Sequence, residues 1–507
     1  MGPEFDVIVV GAGPAGSAAA LTLAKKGTNV LLVEKGKAPG DKNMSGGILY
    51  GDFPGEWGIK TLVPDFATTA PLERRIISHE VVILDAPNLE RGTSRYYRLS
   101  KASLPARVGL FPLAFETGDD HSVLRRNFDR WFSDKAAAAG ATLSTGTTVE
   151  GLLKDGGSTV GIRTDREELR AKVVIDASGV ATNLATEAGL RERWTPRQLY
   201  HGIKRVYRLD PETIEERFGV GVGDGRAVYY TGQFMHGIAG SGFMITNRDT
   251  LSVGLVASLD SLIRNTTERF DRVGKLLDVL EEFERHPMLA GLLEGAEPLE
   301  FSAHNIPKGY NAIPKKPYAD GYLAAGDALG SFVKIGAMLD GMRNAIVSGM
   351  MAAATYLAAN TSGSFRARNL SRYRDLLTPI YEDVNRSGRD SFITESSVTY
   401  NTLPRLVFAT RILSSVFKFE PGRKTEPQAD DTKSAGLSVP PENDADLSYS
   451  HISVDTQLAS KSVTKPWAKS FRGAESPGIC GTRPCCVPAP SMVRTPLLMK
   501  SNTWFCS

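Results

Sequence analysis

No cysteine precedes Cys480 in this chain of 507 residues. The four cysteines present, Cys480, Cys485, Cys486 and Cys506, all lie near its C-terminal end. The sequence therefore excludes a disulfide framework and a cysteine-ligated metal site from everything before position 480.

The sequence also has little net charge, no membrane-spanning segment and no room for a signal peptide. The 60 basic and 57 acidic residues leave a net charge of only +3, which gives no reason to expect a nucleic-acid partner. No window contains the ~20 apolar residues of a membrane-spanning helix; residues 345–359 come closest but are short and interrupted by Gly349. The first strand begins at Phe5 and leaves no room for a signal peptide, so we expect a cytoplasmic protein.

What is present points to a globular protein of two or three domains. Apolar residues make up 41% and charged residues 23% of the chain. The length exceeds that of a single hydrophobic core.

Residues 5–36 have the pattern of a complete dinucleotide-binding βαβ unit. An apolar run leads into Gly11-x-Gly13-x-x-Gly16, and a helix of small residues and a second apolar strand follow. Glu34, which ends that strand, can accept a hydrogen bond from a ribose hydroxyl. The cofactor-binding residues predicted from this unit are Gly11, Gly13, Pro14, Ala15, Gly16, Glu34 and Lys35.

Three later segments indicate FAD rather than NAD. Residues 122–131 contain Arg125 in an R-x-x-F-D pattern and precede an alanine-rich helix. Residues 172–179 and 321–330 are each an apolar strand closed by a turn of small residues, the second ending in Gly326-Asp327. The chain then continues through Gly336 into a helical stretch at 341–357.

These segments resemble the p-hydroxybenzoate-hydroxylase-like FAD fold. The resemblance implies an α/β protein with a Rossmann-type three-layer FAD domain and a substrate domain built on an antiparallel sheet. It implies that Asp327 binds the ribityl chain or the diphosphate and that Arg125 lies along the diphosphate. It also implies a helix from about Gly336 that directs its N-terminus at the flavin.

At the turn that closes residues 172–179, either the Asp176 side chain or the neighbouring backbone contacts FAD. Asp176 either caps the turn or contacts FAD, and we favour the backbone of Ala177 and Gly179 as the contact. Gly326 is predicted to bind FAD together with Asp327.

Finer motifs resemble the FixC-type proteins, in the branch of geranylgeranyl reductases and electron-transfer-flavoprotein:quinone oxidoreductases. Residues 40–50 match a G-x-K-N-x-x-G-x-I-L-Y stretch and add Asn43, Gly46 and Gly47 to the predicted FAD contacts. Residues 303–307 and 341–346 match A-H-x-I-P and G-M-x-x-A-I. The resemblance covers roughly residues 5–420.

The resemblance implies that the flavin takes electrons from an electron-transfer flavoprotein and passes them to a quinone. No second glycine-rich βαβ unit is visible, so the donor is expected to be a protein or a transiently bound NAD(P)H. His304 is the candidate for a proton relay, with a purely structural role as the alternative.

Three other functions remain open from the sequence. A geranylgeranyl reductase hydrogenates isoprenoid double bonds with the same FAD core. An FAD-dependent monooxygenase consumes NAD(P)H and oxygen, and a non-enzymatic scaffold binds the cofactor without electron transfer.

The predicted organisation has five parts. They are an FAD-binding domain at 1–200 and 311–360, a substrate or quinone domain at 201–310, a helical region at 361–420, a linker at 421–450 and a tail at 451–507. In the helical region, residues 403–419 form an apolar stripe with interspersed Arg405, Arg411 and Lys418. Such a helix either lies in the interface of the inner face of the cell membrane or packs on the protein's own core.

The tail resembles a degenerate FixX-type ferredoxin, with a disordered tail as the alternative. Its flanking residues match H-I-x-V-D and K-P, but the four cysteine positions contain Ala459, Ser462, Trp467 and Phe471. None of these side chains ligates iron, so we expect no [4Fe–4S] cluster and no metal site in this chain.

Overall fold

The computed structural model describes residues 4–41, 46–53, 57–86, 95–99, 119–180, 182–268, 275–335, 338–395, 402, 405, 420 and 421. In chain order the strands are β1 (Phe5–Val10), β2 (Val30–Val33), β3 (Gly47–Leu49), β4 (Leu72–Leu84), β5 (Tyr96–Leu99), β6 (His121–Val123), β7 (Thr142–Ser144), β8 (Val149–Asp155), β9 (Ser158–Thr164), β10 (Glu168–Asp176), β11 (Leu199–Arg208), β12 (Asp224–Gly232), β13 (Gly240–Thr246), β14 (Thr250–Ser258), β15 (Glu297–Pro307), β16 (Tyr318–Ala319), β17 (Tyr322–Ala324), β18 (Val333–Ile335), β19 (Met338–Asp340) and β20 (Glu420–Pro421).

The α-helices are α1 (Pro14–Ala24), α2 (Ile59–Leu62), α3 (Phe66–Thr69), α4 (Arg125–Ala138), α5 (Leu184–Glu187), α6 (Pro211–Phe218), α7 (Leu259–Glu268), α8 (Leu276–Glu284), α9 (Pro287–Leu293), α10 (Gly309–Ala312), α11 (Gly326–Leu329), α12 (Met342–Asn360), α13 (Ala367–Leu370), α14 (Arg372–Leu376) and α15 (Thr378–Thr394). No helix in the described ranges is both long enough and apolar enough to cross a membrane.

The first sheet brings the predicted cofactor loops to one edge. Its order is β16-β17-β10-β1-β2-β7, and β17, β10, β1, β2 and β7 are parallel. Val10 lies opposite both Val33 and Asp176, so the carboxyl ends of β1, β2 and β10 are in register. Ligands of open parallel sheets bind beyond these ends, where Gly11, Glu34 and Ala177 follow.

Two helices pack closely on each other against this sheet through glycines. A Cβ atom at Gly349, in α12, would lie 2.1 Å from the carbonyl oxygen of Ala15 in α1. A Cβ atom at Gly16 would lie 1.8 Å from the carbonyl oxygen of Gly11. Only glycine permits this approach, which sets the position of the N-terminus of α1 over the sheet edge.

The second sheet has the order β15-β11-β14-β13-β12-β4-β5-β20, and β6 adds β3 to it through β4. Its neighbouring strands are antiparallel, as predicted for the substrate domain, except for β4 and β12, which are parallel. One face supports a core that includes Val253 and Phe283. The other face contributes Tyr229, Phe243 and Ile245 to a smaller cluster that faces the site.

The second sheet takes β3, β4, β5 and β6 from residues 47–123, a range that the sequence prediction gave to the FAD-binding domain. We propose that these strands belong with the substrate domain. The other predicted domain boundaries remain predictions, and the linker and tail lie outside the described residues except for Pro421.

Candidate functional site

One cavity of about 450 Å³ lies between the carboxyl edge of the first sheet and one face of the second. Its size is in the range of small-molecule and cofactor sites. The predicted FAD contacts that line it are Gly11, Gly13, Pro14, Ala15, Glu34, Lys35, Gly46, Gly47, Arg125, Ala177, Gly179, Gly326 and Asp327. Segments far apart in the sequence therefore meet at one place.

The glycine-rich loop forms the floor of the cavity. Gly11 has φ +96°, a conformation that L side chains rarely adopt, and turns the chain out of β1. Gly13 is the N-cap of α1, and a Cβ atom there would have no neighbour nearer than 3.5 Å, at Nη2 of Arg125. The space in front of α1 is thus open at Gly13, as a diphosphate requires. Gly16 does not line the cavity. Its lack of a side chain permits the close approach to the carbonyl oxygen of Gly11 described above.

Glu34 joins the end of β2 to this loop. Its Oε2 accepts a hydrogen bond from the N–H of Ala12 at 3.0 Å, and its Oε1 accepts one from Gly36 at 2.6 Å. Burial raises the pKa of Glu34, although both of these hydrogen bonds oppose the shift. The carboxylate therefore orders the loop as well as lining the cavity.

Arg125 begins α4 and is fixed by the next turn of that helix. Its Nε and Nη2 donate to the two carboxylate oxygens of Asp129 at 2.8 and 2.7 Å. The Asp129 side chain is fully buried, whereas that of Arg125 is 20% exposed. Burial alone lowers the pKa of Arg125, but nearby carboxylates, chiefly Asp129, outweigh burial and raise it. The guanidinium is a fixed positive charge beside the open space at Gly13.

The side chain of Asp176 caps the turn after β10. Its Oδ1 accepts the N–H of Ser178 at 3.0 Å, and its Oδ2 accepts the hydroxyl of Tyr322 at 2.5 Å. Asp176 is 1% exposed and does not line the cavity. Ala177 and Gly179 line it instead.

Asp327 lies in the first turn of α11, directly after the parallel strand β17. Gly326 has φ +61°, and its N–H donates to Oγ of Ser348 at 2.9 Å. Burial raises the pKa of Asp327, partly offset by the positive fields of His304 and Arg125. His304, in β15, lines the same cavity.

The helix expected from about Gly336 begins later than predicted. The antiparallel strands β18 and β19 pair Val333 with Asp340, and α12 starts at Met342 with Gly341 as its N-cap. Gly341, Met342 and Ala345 line the cavity, so the N-terminus of α12 does reach it. Gly336 and Asn43, both predicted FAD contacts, lie outside the described residues.

Apart from His304, the side chains of the wall formed by the second sheet were not singled out from the sequence. Its lining residues are Tyr50, Tyr229, Phe243, Ile245, Val256, His304 and Ile306, with Phe332 and Leu339 added by the chain that leads into α12. They are mostly apolar and come from strands distant in the sequence. The cavity therefore has a polar, glycine-lined part and an apolar part.

The polar part fits an adenine dinucleotide on three observations. The chain is open at Gly13, the fixed cation Arg125 stands beside that opening, and helix N-termini lie at its edge. The chain from 6 to 284 matches the family model described as "FAD dependent oxidoreductase".

This chain belongs to the FAD-dependent oxidoreductases.

Relatives within this family match most of the chain. Protein FixC of Escherichia coli (strain K12) is 36% identical over 381 residues, which are 74% of this chain and 81% of that protein. A protein of the same organism named "Probable electron transfer flavoprotein-quinone oxidoreductase YdiS" is 31% identical over 426 residues, 84% of this chain and 92% of that protein. The predicted relationship to the FixC-type proteins is thereby confirmed.

A solved structure supports the fold class. The geranylgeranyl bacteriochlorophyll reductase-like protein of Thermoplasma acidophilum has a TM-score of 0.57 and 23% identity, and the likeness covers 80% of this chain and 90% of that protein. The predicted α/β FAD fold and the predicted cofactor FAD are confirmed. Which side chains of this oxidoreductase hold FAD remains our proposal, resting on the cavity lining.

Proposed function

We propose that this FAD-dependent oxidoreductase passes electrons from an electron-transfer flavoprotein to a quinone. The observation that carries the proposal is the match to YdiS over nearly the whole length of that relative, whose name states this activity. The apolar part of the cavity supports the quinone as acceptor, since its walls suit a flat, weakly polar ring.

We propose that residues of this chain bind FAD and set the electrostatic field around it. We propose that the backbone at Gly11 and Gly13, with Arg125, holds the diphosphate of FAD, and that Asp327 accepts hydrogen bonds from its ribityl hydroxyls. The N-terminus of α12 provides a positive dipole end at the cavity, which favours negative charge there. Bound FAD supplies reversible storage of two electrons.

Water exclusion is the second contribution of the fold. Phe243, Ile245 and Val256 are each at most 5% exposed although they line the cavity. This enclosure strengthens the electrostatic interactions inside and limits side reactions. His304 remains the candidate for moving a proton at this wall, because it lies near Asp327 and lines the cavity.

Contact with a membrane surface is part of the proposal, because quinones dissolve in lipid. Its candidate is the segment 403–419, of which only Arg405 lies in the described part of the chain. Vesicles of anionic lipid are expected to sediment the wild-type protein, and replacement of Arg405, Arg411 and Lys418 by glutamine is expected to release it. Equal sedimentation of both proteins would contradict the membrane contact.

The proposed function is tested by assembling the reaction from its parts under argon. FAD-loaded protein, a reduced electron-transfer flavoprotein and a short-chain quinone are expected to form quinol only when all three are present. Reduction of the bound flavin without quinol formation would contradict the quinone as electron acceptor. Quinol formation from dithionite-reduced protein, but not from the flavoprotein donor, would contradict the donor alone.

The same preparation separates the rival reductase. Isoprenoid lipid incubated with reduced protein gains pairs of hydrogens, detectable by mass analysis, only if the chain is a geranylgeranyl reductase. A gain of hydrogens by the lipid without reduction of quinone would contradict our proposal and support a geranylgeranyl reductase.

A further inference from the structure

Two tyrosines whose hydroxyls lie close together line the mostly apolar part of the cavity. The hydroxyl oxygens of Tyr50 and Tyr229 are 3.1 Å apart, and both residues line the cavity. Tyr50 follows β3, and Tyr229 lies in β12 directly opposite Phe243 of β13. Two polar groups thus meet among side chains that are mainly aromatic and aliphatic.

A buried histidine–aspartate pair packs against these tyrosines. Nε2 of His79 and Oδ2 of Asp120 are 2.9 Å apart, and each side chain is 1% exposed. The ring of His79 is nearly parallel to both tyrosine rings, at centroid distances of 5.9 Å from Tyr50 and 6.2 Å from Tyr229. Oδ1 of Asp120 accepts the N–H of Gly51, which fixes the backbone next to Tyr50. The hydroxyl pair is therefore held in place.

The surroundings keep both hydroxyls protonated. Burial raises the pKa of Tyr50 and of Tyr229 well above the ordinary value, and the carboxylates of Asp120 and Asp340 add to the effect. A protonated hydroxyl donates one hydrogen bond while accepting others. At neutral pH the pair can turn a hydrogen toward an acceptor that enters the cavity.

We propose that the Tyr50–Tyr229 hydroxyl pair binds a carbonyl oxygen of the quinone and so orients its ring in the cavity. This inference rests on the proposed function. A quinone is a flat apolar ring whose polar atoms are carbonyl acceptors, which matches hydroxyl donors set in an apolar wall. An isoprenoid double bond accepts no comparable hydrogen bond, so the pair favours the quinone over the isoprenoid as the ligand of this wall.

The test uses Tyr50→Phe, Tyr229→Phe and the double variant in the FAD-loaded protein. The dissociation constant of a short-chain ubiquinone is measured by calorimetry, together with FAD content and the melting temperature. We expect the double variant to bind this quinone about tenfold more weakly and each single variant to bind it severalfold more weakly. FAD content should not change, because neither hydroxyl belongs to the dinucleotide part of the cavity.

Tyr230→Phe is the matched control. Tyr230 is the next residue of β12 and is fully buried, but it belongs to the core on the opposite face of the sheet. Its hydroxyl has no hydrogen-bond partner among the described residues. This variant should bind the quinone like the wild type.

The outcomes separate the two proposals. A wild type that reduces quinone, together with a folded double variant that binds it as tightly as the wild type, overturns the role of the pair and leaves the proposed function standing. A wild type that neither binds nor reduces quinone overturns both. If the double variant does not fold, wild-type affinity in both single variants overturns the role of the pair, and weaker binding in each supports it.

Discussion

Gly13 shows how a single hydrogen atom in place of a side chain can decide cofactor binding. The backbone there has room for a methyl group within the protein, since the nearest atom, in Arg125, would be 3.5 Å away. The space that the methyl group would fill is the open end of α1 where the diphosphate belongs. We therefore propose that Gly13 is needed for the ligand rather than for the fold.

Gly13→Ala is expected to lower the affinity for FAD at least tenfold and to leave the chain folded. Flavin content of the purified protein and circular dichroism measure the two effects. Gly291→Ala is the control, because no atom lies within 4 Å of a Cβ atom at Gly291, which is part of α9. A Gly13→Ala protein that keeps its flavin would contradict the placement of the diphosphate.

Lys204 is a buried charge that sequence reasoning did not single out. Its side chain lies in β11 and is fully buried, and Nζ donates to the carbonyl oxygen of Gly46 at 3.3 Å. Burial lowers the pKa of Lys204 to about 7. The folded protein thus favours the neutral amine, and below pH 7 it bears the cost of burying the ammonium.

Lys204→Met is expected to raise the free energy of unfolding by about 3 kcal/mol at pH 6. The unfolded lysine keeps its ordinary pKa of 10.5, so the wild type regains stability as pH rises from about 7 toward 10 and the difference shrinks. Urea unfolding at pH 6 and pH 9 measures it, with the exposed Lys26→Met as control. A Lys204→Met protein that is less stable than the wild type at pH 6 would contradict this balance.

At the scale of single residues, the sequence supports predictions where the physics is local. Gly11 and Gly13 were predictable because a tight turn and a close backbone approach need glycine whatever the rest of the chain does. The contact between Tyr50 and Tyr229 joins residues 179 positions apart and leaves no local pattern.

At the scale of elements, the start of α12 shows what the sequence could and could not give. The apolar, small-residue stretch predicted the helix itself, which runs from Met342 to Asn360. The strands β18 and β19 ahead of it are only three residues each, too short for periodicity to distinguish them from a first helical turn. The second sheet likewise recruits β3 to β6 through pairings that only the folded chain defines.

The end of α15 is anchored to the second sheet by one carboxylate. Glu395, the residue after α15, accepts hydrogen bonds from Lys308 at 3.1 Å and Tyr310 at 3.2 Å, and also from the hydroxyl of Tyr200. Burial by itself raises the pKa of Glu395, but Lys334 and Lys308 with the tyrosine hydroxyl outweigh burial and lower it. The charged form is the one that stabilises the fold.

Glu395→Gln is expected to lower the free energy of unfolding by about 3 kcal/mol at pH 7, because the buried Lys308 loses its nearer counter-ion and keeps only Asp260, 3.8 Å away. Since the folded pKa is lowered, the wild-type advantage is present above the ordinary pKa of 4.5 and fades as pH falls below it. Chemical unfolding at pH 7 and pH 4 tests this, with the exposed Glu382→Gln of the same helix as control. A loss of equal size at both pH values would contradict the role of the charge.

At the scale of the whole molecule, two sheets enclose one cavity, and every residue that lines it lies between Val10 and Ala345. The sequence predicted the cofactor and its sheet because the βαβ unit and the strand–turn motifs are contiguous. It predicted a substrate or quinone domain at 201–310 and singled out His304, but it did not predict the other side chains of the apolar wall, which come from strands distant in the sequence. The predicted ferredoxin-like tail lies outside the described residues.

The C-terminal tail, residues 451–507, allows a prediction of the iron content of the protein. With Ala459, Ser462, Trp467 and Phe471 at the ligand positions, protein purified without air is expected to contain one FAD and no stoichiometric iron or acid-labile sulfide. Elemental analysis of the full chain beside a chain ending at Pro421 measures both. Stoichiometric iron in the full chain that is lost on truncation would contradict the interpretation of the tail.

We propose that the electrons stored in this protein are passed to a quinone. The most direct measurement reduces the FAD-loaded protein with one equivalent of dithionite under argon, mixes it with a short-chain quinone and follows the visible flavin band. We expect the band to return and about one quinol to form per FAD. A band that stays bleached in the presence of excess quinone would contradict the claim.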